Sequence, residues 1–195
     1  DSEPEVVDLH PHTLDEVVED VRRVGEAVGK ESRSEEVVSN LRDRIENVRR
    51  KTDGFESRRV AVLDWLDPVM VAGHWVPEMI EIAGGEYGMA EPGDRSEPRE
   101  WSEVLSYSPE VLVAAPCGFD LRQTVENFDD LSEREGYEDL PAVRHRRVYA
   151  MDGHNYVNRP GPRIVDSLEY FAQILHPEEF GKPPHSVAQP PVRIR

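Results

Sequence analysis

Four residues able to contact a ligand lie close together between Trp65 and Trp75. Trp65, Asp67, His74 and Trp75 fall within eleven positions of a chain that has only three tryptophans. Indole rings offer flat apolar faces and an N–H donor, a carboxylate accepts hydrogen bonds, and an imidazole transfers a proton or binds a metal. The segment therefore predicts either a binding surface or a catalytic loop.

Two further stretches carry residue types of the same kind. Cys117 and Phe119 lie in a short Pro-Cys-Gly-Phe stretch, and a polar loop holds His154, Tyr156 and Arg159. A thiol, two aromatic rings, an imidazole and a guanidinium add donors, apolar faces and one positive charge. These residues join the first four as candidate ligand contacts.

Each polar candidate has a structural alternative. His74 and His154 are weak candidates for metal ligation, or else hydrogen-bonding loop residues. Cys117 fits a small buried residue at a strand end better than a nucleophile. Asp67 precedes a proline and is able to shape a turn, while Arg159 can bind an anion or form a salt bridge.

The sequence lacks the usual signatures of catalysis and of nucleotide binding. It contains no Gly-flanked nucleophile elbow, no phosphate loop, no dinucleotide fingerprint and no zinc-ligand spacing. The candidates offer aromatic faces and polar donors without an acid, base and nucleophile that belong together. We therefore predict binding of a broad amphipathic ligand without catalysis, and no cofactor of the protein's own.

Apolar strands and amphipathic helices alternate in the second two thirds of the chain. Strands are predicted at 58–65, 110–115 and 147–151. Helices are predicted at 75–83, 99–107, 120–134 and from Pro162 to His176. This alternation predicts an α/β fold with a Rossmann-like parallel sheet flanked by helices. Each strand precedes one group of candidates, so all of them are expected at one edge of the sheet.

In the first third of the chain, the sequence predicts a short strand at 4–9 followed by two helices. Thr13 and Glu16 have the spacing of a capping box at the start of the first helix. Ser34 is expected to cap a second, longer helix that ends near Gly54. Its narrow apolar stripe suits either a strut between two lobes or an ordinary surface helix.

Composition limits the class of partner and the chemistry. The net charge is −17, with 40 acidic and 23 basic residues, and this argues against nucleic acid and anionic membranes. Lysine occurs only three times, and an acidic, lysine-poor surface is typical of proteins from salt-loving organisms. One cysteine excludes an intrachain disulfide, and no apolar run is long enough to span a bilayer.

Several motifs resemble those of one family. In order and spacing over about residues 4–180, the chain is similar to the C-terminal lobe of cobalamin-binding proteins. These belong to the two-lobed substrate-binding proteins of ABC importers for vitamin B12, haem and iron chelates. The motifs are Trp65-Leu66-Asp67-Pro68, Gly73 to Glu78, Ala83-Gly84-Gly85, Ser108-Pro109-Glu110, Pro116 to Phe119 and Arg159 to Arg163.

The resemblance implies a division of the chain and a ligand. Residues 1–30 correspond to the last strand–helix unit of an N-terminal lobe, and 31–56 to the helix between lobes. Residues 57–176 correspond to the C-terminal lobe, and 177–195 form a Pro-rich tail, expected to be extended. The implied ligand is cobalamin or an iron chelate held between lobes, with Tyr156 where relatives place an aromatic residue against the corrin ring.

The resemblance also bears on the partner and the compartment. Relatives often carry a glutamate that docks on the permease where this chain has Ser102, which weakens the expectation of a permease partner. The location is extracytoplasmic if an export signal lies upstream, and cytoplasmic otherwise. The alternative is an intracellular protein or enzyme that handles a corrinoid or another metal complex in the same cleft.

Overall fold

A six-stranded sheet with three parallel strands at its centre forms the middle of the fold. The computed structural model describes residues 6–181 and the backbone of 192–193. The strand order is β3-β2-β1-β4-β5-β6. The strands are β1 Val60–Leu66, β2 Val69–Val71, β3 Glu97–Pro98, β4 Val111–Ala114, β5 Val148–Ala150 and β6 Val192–Arg193. The central strands β1, β4 and β5 are parallel, whereas β2, β3 and β6 pair antiparallel at the two sides.

The apolar character of the central strands explains their position. Every residue of β4 and β5 is buried, and in β1 only Trp65 is partly exposed. A strand that is covered by helices on both faces needs a nearly continuous apolar run. The predicted α/β fold with a parallel sheet is therefore confirmed at the centre of the sheet.

Nine α-helices surround the sheet in the described part of the chain. They are α1 Leu14–Ala27, α2 Glu31–Thr52, α3 Val76–Ile82, α4 Trp101–Tyr107, α5 Leu121–Glu126, α6 Asp129–Ser132, α7 Pro141–Arg144, α8 Ile164–Leu175 and α9 Pro177–Phe180. A 3₁₀ turn covers Tyr137–Asp139, and a π-helical turn covers Gly153–Val157. The 22-residue α2 packs against α1 and α8.

An ion-pair cluster holds α2 against α8. The Arg44 guanidinium of α2 donates to both oxygens of Glu169, at 2.9 and 2.7 Å, and to Asp166 at 2.5 Å. A planar guanidinium suits such paired contacts with carboxylates. The long helix is thereby fixed on the helix that follows the 152–161 loop.

The predicted capping box at Thr13 is present. The Thr13 hydroxyl accepts the Glu16 N–H at 3.3 Å, and the Glu16 carboxylate accepts the Thr13 N–H at 3.1 Å. We expect Thr13→Ala to lower the free energy of unfolding by about 1 kcal/mol, since a free N–H loses its acceptor. Urea denaturation followed by circular dichroism measures the change. Ser39→Ala, at an exposed position inside α2, is the control and should not destabilise the protein.

Two predictions for the first third are wrong. Residues 6–9 form no strand, and residues 4–5 lie outside the described part of the chain. Helix α2 begins at Glu31, so Ser34 is not its cap. Ser34 is buried in the first turn, where its hydroxyl donates to the Glu31 carbonyl at 2.9 Å. It packs on Gly25 of α1, where a Cβ would lie 2.1 Å from the Ser34 Oγ, and this close approach requires a small residue on each helix.

The structure also corrects several later boundaries. The loop predicted after β1 contains β2, which folds back as a hairpin around the Asp67–Pro68 cis peptide. The helix predicted at 120–134 is divided into α5 and α6 by a turn at Asn127. Helix α8 begins at Ile164, two residues after the expected Pro162. The tail starts with the helix α9 instead of an extended segment, and 182–191 and 194–195 lie outside the described residues.

Candidate functional site

The carboxyl end of β1 presents an aromatic pair. Trp65 lies at the second-last position of β1, and its ring meets the edge of Phe119 with centroids 5.3 Å apart. The Trp65 indole N–H donates to the Asp67 carbonyl at 3.0 Å. Both rings are partly exposed. Two strand ends that are neighbours in the sheet thus supply one aromatic surface, which we call the aromatic rim (Trp65 and Phe119).

The Asp67 carboxylate is occupied by an arginine that the sequence did not single out. Arg134 donates to the Asp67 Oδ1 at 2.6 Å and to the Leu66 carbonyl at 3.0 Å. Its guanidinium also lies 5.8 Å from the centre of the Trp101 ring. Arg134 therefore fixes the hairpin turn beside the aromatic rim, and a ligand that bound Asp67 would have to share this carboxylate with Arg134.

Cys117 is exposed, so its interpretation as a buried residue is wrong. Buried strand β4 already ends at Ala114, and the chain reverses at Gly118, whose φ of +82° favours glycine. The Cys117 N–H donates to the Asp64 carbonyl at 2.8 Å, which ties the turn to β1. The thiol is thereby placed on the surface next to Phe119.

The loop after β5 is connected to the aromatic rim through His154. The His154 N–H donates to the Phe119 carbonyl at 2.9 Å. The Arg159 guanidinium lies 3.3 Å from the His154 Nδ1 and 3.4 Å from its carbonyl oxygen. Both side chains are exposed. They add a positive charge and an imidazole next to the aromatic rings.

Tyr156 lies beneath this surface and not on it. It belongs to the π-helical turn, which Asp152 caps by accepting the Asn155 N–H at 2.7 Å. The tyrosine is 9% exposed, its ring meets Tyr170 edge-on at 5.9 Å, and the Arg163 guanidinium lies 5.5 Å from its ring centre. Burial raises the pKa of the Tyr156 hydroxyl, against the influence of Arg163. Little of the Tyr156 side chain is therefore accessible to a ligand in this arrangement of the loop.

Two stacked imidazoles line a hollow beside α3. The rings of His12 and His74 are 5.4 Å apart and inclined by 23°. The hollow has a volume of about 350 Å³, and we call it the histidine hollow. It is lined by Leu9, His10, Pro11, His12, His74, Trp75, Arg95 and Pro160. Burial, followed by the neighbouring His12 and Arg95, lowers the pKa of His74, so a neutral imidazole with a free lone pair is favoured near pH 7.

Trp75 joins the histidine hollow to the loop after β5. It is only 8% exposed, and its indole N–H donates to the Val157 carbonyl at 2.9 Å. The His74 backbone, at a φ of +54°, is held by Asp94, whose carbonyl accepts the His74 N–H. The structure therefore places Trp75 mainly in the core, with one edge at the hollow.

The candidates from the three stretches meet along one edge of the sheet. Hydrogen bonds link 119 to 154 and 75 to 157, and Pro160 lines the histidine hollow directly after Arg159. Within residues 6–181 the structure contains no cluster of three or more His, Cys, Asp or Glu side chains able to hold a metal ion. Metal ligation by His74 or His154 stays a prediction, as does ligand contact by each of the other candidates.

Asp64 is a further polar residue near this edge of the sheet, beyond the candidates predicted from the sequence. It sits at the irregularity in β1 between Leu63 and Trp65, is 8% exposed, and its Oδ1 has no hydrogen-bond partner among the described atoms. Burial raises the pKa of the Asp64 carboxyl, and a hydrogen bond with Ser96 opposes this. A single acidic residue in the apolar run Val-Ala-Val-Leu-Asp-Trp-Leu was the available signal. Arg95 and Arg134 gave no such signal, because only tertiary folding brings them here.

The raised pKa of Asp64 gives a pH-dependent prediction. The native state holds this proton more tightly than the unfolded chain does. Ionisation of Asp64 therefore destabilises the fold as the pH rises above 3.8, the ordinary pKa of an aspartate. We expect Asp64→Asn to raise the free energy of unfolding by about 1 kcal/mol near neutral pH, because the amide cannot ionise. The gain should shrink towards pH 3.8.

Urea midpoints of both proteins at several pH values measure this gain. Asp43→Asn, at an exposed position of α2, is the matched control and should show no comparable pH-dependent gain. A gain for Asp64→Asn that does not change with pH would contradict the explanation.

Open α/β folds bind their ligands at the carboxyl edge of parallel strands, where the aromatic and polar candidates of this chain lie. Residues 1–154 match the family model described as periplasmic binding protein, and the chain belongs to that family. No helix in the described part of the chain is long and apolar enough to cross a membrane.

Curated relatives and solved structures agree with this family. The chain is 22% identical over 174 residues to an uncharacterized ABC transporter substrate-binding lipoprotein of Bacillus subtilis, covering 86% of this chain and 52% of that protein. It is 25% identical over 173 residues to a cobalamin-binding protein of Halobacterium salinarum, covering 84% and 45%. The periplasmic vitamin B12 binding protein of Vibrio cholerae has a similar fold, with a TM-score of 0.66, 19% identity, and coverage of 86% and 63%.

The length of these relatives limits what the similarity shows. The chain spans about half the length of the two curated relatives. The similarity thus shows the family and the fold.

Proposed function

We propose that this chain is the C-terminal lobe and linking helix of a substrate-binding protein that binds a corrinoid or a related metal chelate for ABC-type uptake. Residues 1–30 are the end of the preceding lobe, 31–56 the inter-lobe helix and 57–176 the C-terminal lobe. The observation that carries the proposal is the joining of the aromatic rim to the histidine hollow along one edge of the sheet. The similarity to a cobalamin-binding protein supports the choice of ligand.

The surface suits a broad, flat chelate better than a small polar solute. Trp65 and Phe119 offer partly exposed rings, and Arg159 places a positive charge beside them. Aromatic side chains bury a large ligand area at a small entropy cost, and polar groups around them fix its orientation. A hollow of about 350 Å³ takes only part of a corrinoid, so the second lobe is expected to cover the rest.

Titration with candidate ligands tests this proposal. The protein used for it includes any residues that its gene encodes before residue 1. Cyanocobalamin, haemin and a ferric hydroxamate are compared by isothermal calorimetry, with glucose as an unrelated solute. We expect saturable binding of one chelate with a dissociation constant at or below about 1 μM. Absence of binding for all three at about 100 μM would overturn the proposal.

Exposure of Cys117 is the observation that favours the second candidate, an intracellular protein that handles a corrinoid or metal complex. A surface thiol next to the aromatic rim is accessible to a bound metal. We expect Cys117→Ser to leave the chelate affinity within about twofold, because serine keeps the size and polarity of a ligand contact and loses only the ability of sulfur to bind a metal. Loss of metal transfer to an acceptor in this variant, with binding intact, would favour the second candidate instead.

If α4 docks on a permease, it does so without the glutamate that relatives carry at the position of Ser102. Ser102 is exposed, and the carboxylates of Glu100 and Glu103 form the capping box of α4. These carboxylates are therefore already used in part by backbone N–H groups. If a permease is encoded next to this gene, reconstitution with it tests whether the two proteins bind. A neighbouring permease gene would also favour an extracytoplasmic location.

A further inference from the structure

A second cavity lies at the opposite edge of the sheet. It has a volume of about 380 Å³, and its walls include Phe55, Arg58, Arg147, Tyr149, Ile174 and His176. Arg58 and Arg147 precede strands β1 and β5, and α8 ends here at Leu175. The cavity, which we call the lower cavity, is therefore separated from the candidate site by the length of the central strands.

Two arginines line the lower cavity, and neither has an acidic partner in the described part of the chain. Among the described residues, neither Arg58 nor Arg147 forms an ion pair, although the chain has 40 acidic side chains and a net charge of −17. Arg58 uses one nitrogen to donate to the Leu175 carbonyl at 2.5 Å. Both side chains are half-buried. Water and salt therefore screen their positive charges less than they screen the charge of an exposed arginine.

The remaining walls are mostly apolar or neutral. The Phe55 ring is 36% exposed and lies 4.7 Å from the His176 ring. Burial, and next the nearby Arg58, lower the pKa of His176, so it adds no positive charge at neutral pH. Its Nε2 faces Gly84, where a Cβ would lie only 2.7 Å away. The imidazole is thus a wall of the cavity, and the positive charge comes from the arginines.

Two acidic residues of α9 face the same cavity and oppose an anion. Glu178 and Glu179 are both exposed, and water and salt screen such charges strongly. The half-buried arginines are screened less, so they dominate the field inside the cavity. Arginine also provides a planar pair of N–H groups that matches a carboxylate.

We propose that the lower cavity binds a small organic anion, with its carboxylate on Arg58 or Arg147 and its apolar body against Phe55 and Ile174. The cavity volume is at the lower end of the range for small-molecule sites, which suits a ligand of one ring or a short aliphatic chain. This binding is independent of the candidate site at the carboxyl edge, and it gives the family fold a second, separate ligand site.

Fluorine NMR with para-fluorobenzoate as the probe tests the proposal on the full chain. Its neutral isostere para-fluorobenzamide has nearly the same shape and lacks the charge. We expect saturable binding of the benzoate with a dissociation constant of about 1 mM, and at least about tenfold weaker binding of the amide. Arg147→Gln should weaken benzoate binding by about tenfold, whereas the charge-matched control Arg33→Gln, on the exposed face of α2, should leave it unchanged.

Arg58→Gln is a second variant. It loses the hydrogen bond to the Leu175 carbonyl, so its melting temperature is compared with that of the wild type. If it is less stable, Arg147→Gln alone decides the matter. Equal binding of benzoate and benzamide, equal binding by wild type and Arg147→Gln, or no saturation at about 10 mM benzoate would each overturn the proposal. A normal cyanocobalamin titration with failed benzoate binding would reject the lower cavity and leave the proposed function standing.

Discussion

Replacing Trp65 with alanine is expected to weaken cyanocobalamin binding by about 10- to 100-fold. Trp65 is the largest partly exposed ring at the carboxyl edge, and its contact with Phe119 holds both rings in place. Loss of a central aromatic contact in an interface typically costs about 2 kcal/mol or more. Calorimetric titration of the full-length variant with cyanocobalamin measures the change.

Two companions of this variant separate stacking from folding. Trp65→Phe keeps an aromatic face and should recover most of the affinity, although it loses the N–H bond to Asp67. Phe55→Ala removes an exposed ring at the opposite edge and should leave cyanocobalamin binding unchanged. If Trp65→Ala binds as tightly as the wild type, the aromatic rim is not the ligand surface.

Gly153→Ala is expected to destabilise the protein by about 3 kcal/mol, the largest stability effect among our predictions. A Cβ at this position would lie 2.2 Å from the Pro116 carbonyl oxygen and 2.6 Å from that of Ala115. Backbone atoms at the end of β4 cannot yield as a flexible side chain does, so the π-helical turn would have to move. Urea denaturation measures the loss.

Gly161→Ala is the matched control in the same loop. No atom lies within 4 Å of a Cβ built there, so the change in stability should stay within about 0.5 kcal/mol. The displaced turn of Gly153→Ala carries Tyr156 and the Val157 carbonyl that holds Trp75. Similar stability of the two variants would show that the turn is not tightly packed on β4.

Local patterns explain why the order of elements could be predicted from the sequence. The capping box at Thr13 depends on contacts three residues apart, and the apolar runs of β1, β4 and β5 identify buried strands wherever their partners lie. The short antiparallel strands β2 and β3 could not be predicted, because two or three residues carry no periodicity. Ser34 has the residue type of a cap, but α2 begins at Glu31, and tertiary packing buries Ser34 against Gly25 in the first turn.

The structure places the candidate residues at the predicted edge of the sheet, whereas the exposure of individual side chains could not be predicted from the sequence. The carboxyl ends of parallel strands lie together by topology, so the three stretches could be placed at one edge from the sequence. Exposure depends on the neighbours that each side chain finds. Tyr156 and Trp75 are mostly covered, by Tyr170 and by the loop at Val157, whereas Cys117 is exposed at a turn that begins after β4 has ended.

The sequence by itself determined the α/β fold, the edge of the sheet that carries the candidate residues and the acidic character of the surface. These follow from periodicity, topology and composition, which do not depend on distant contacts. Only the tertiary structure decided that Arg134 binds the Asp67 carboxylate and that His12 stacks on His74. It also decided that Arg58 and Arg147 line one cavity, where neither forms an ion pair with a described residue. Such pairings join residues far apart in the chain, and their geometry is set by packing of the whole fold.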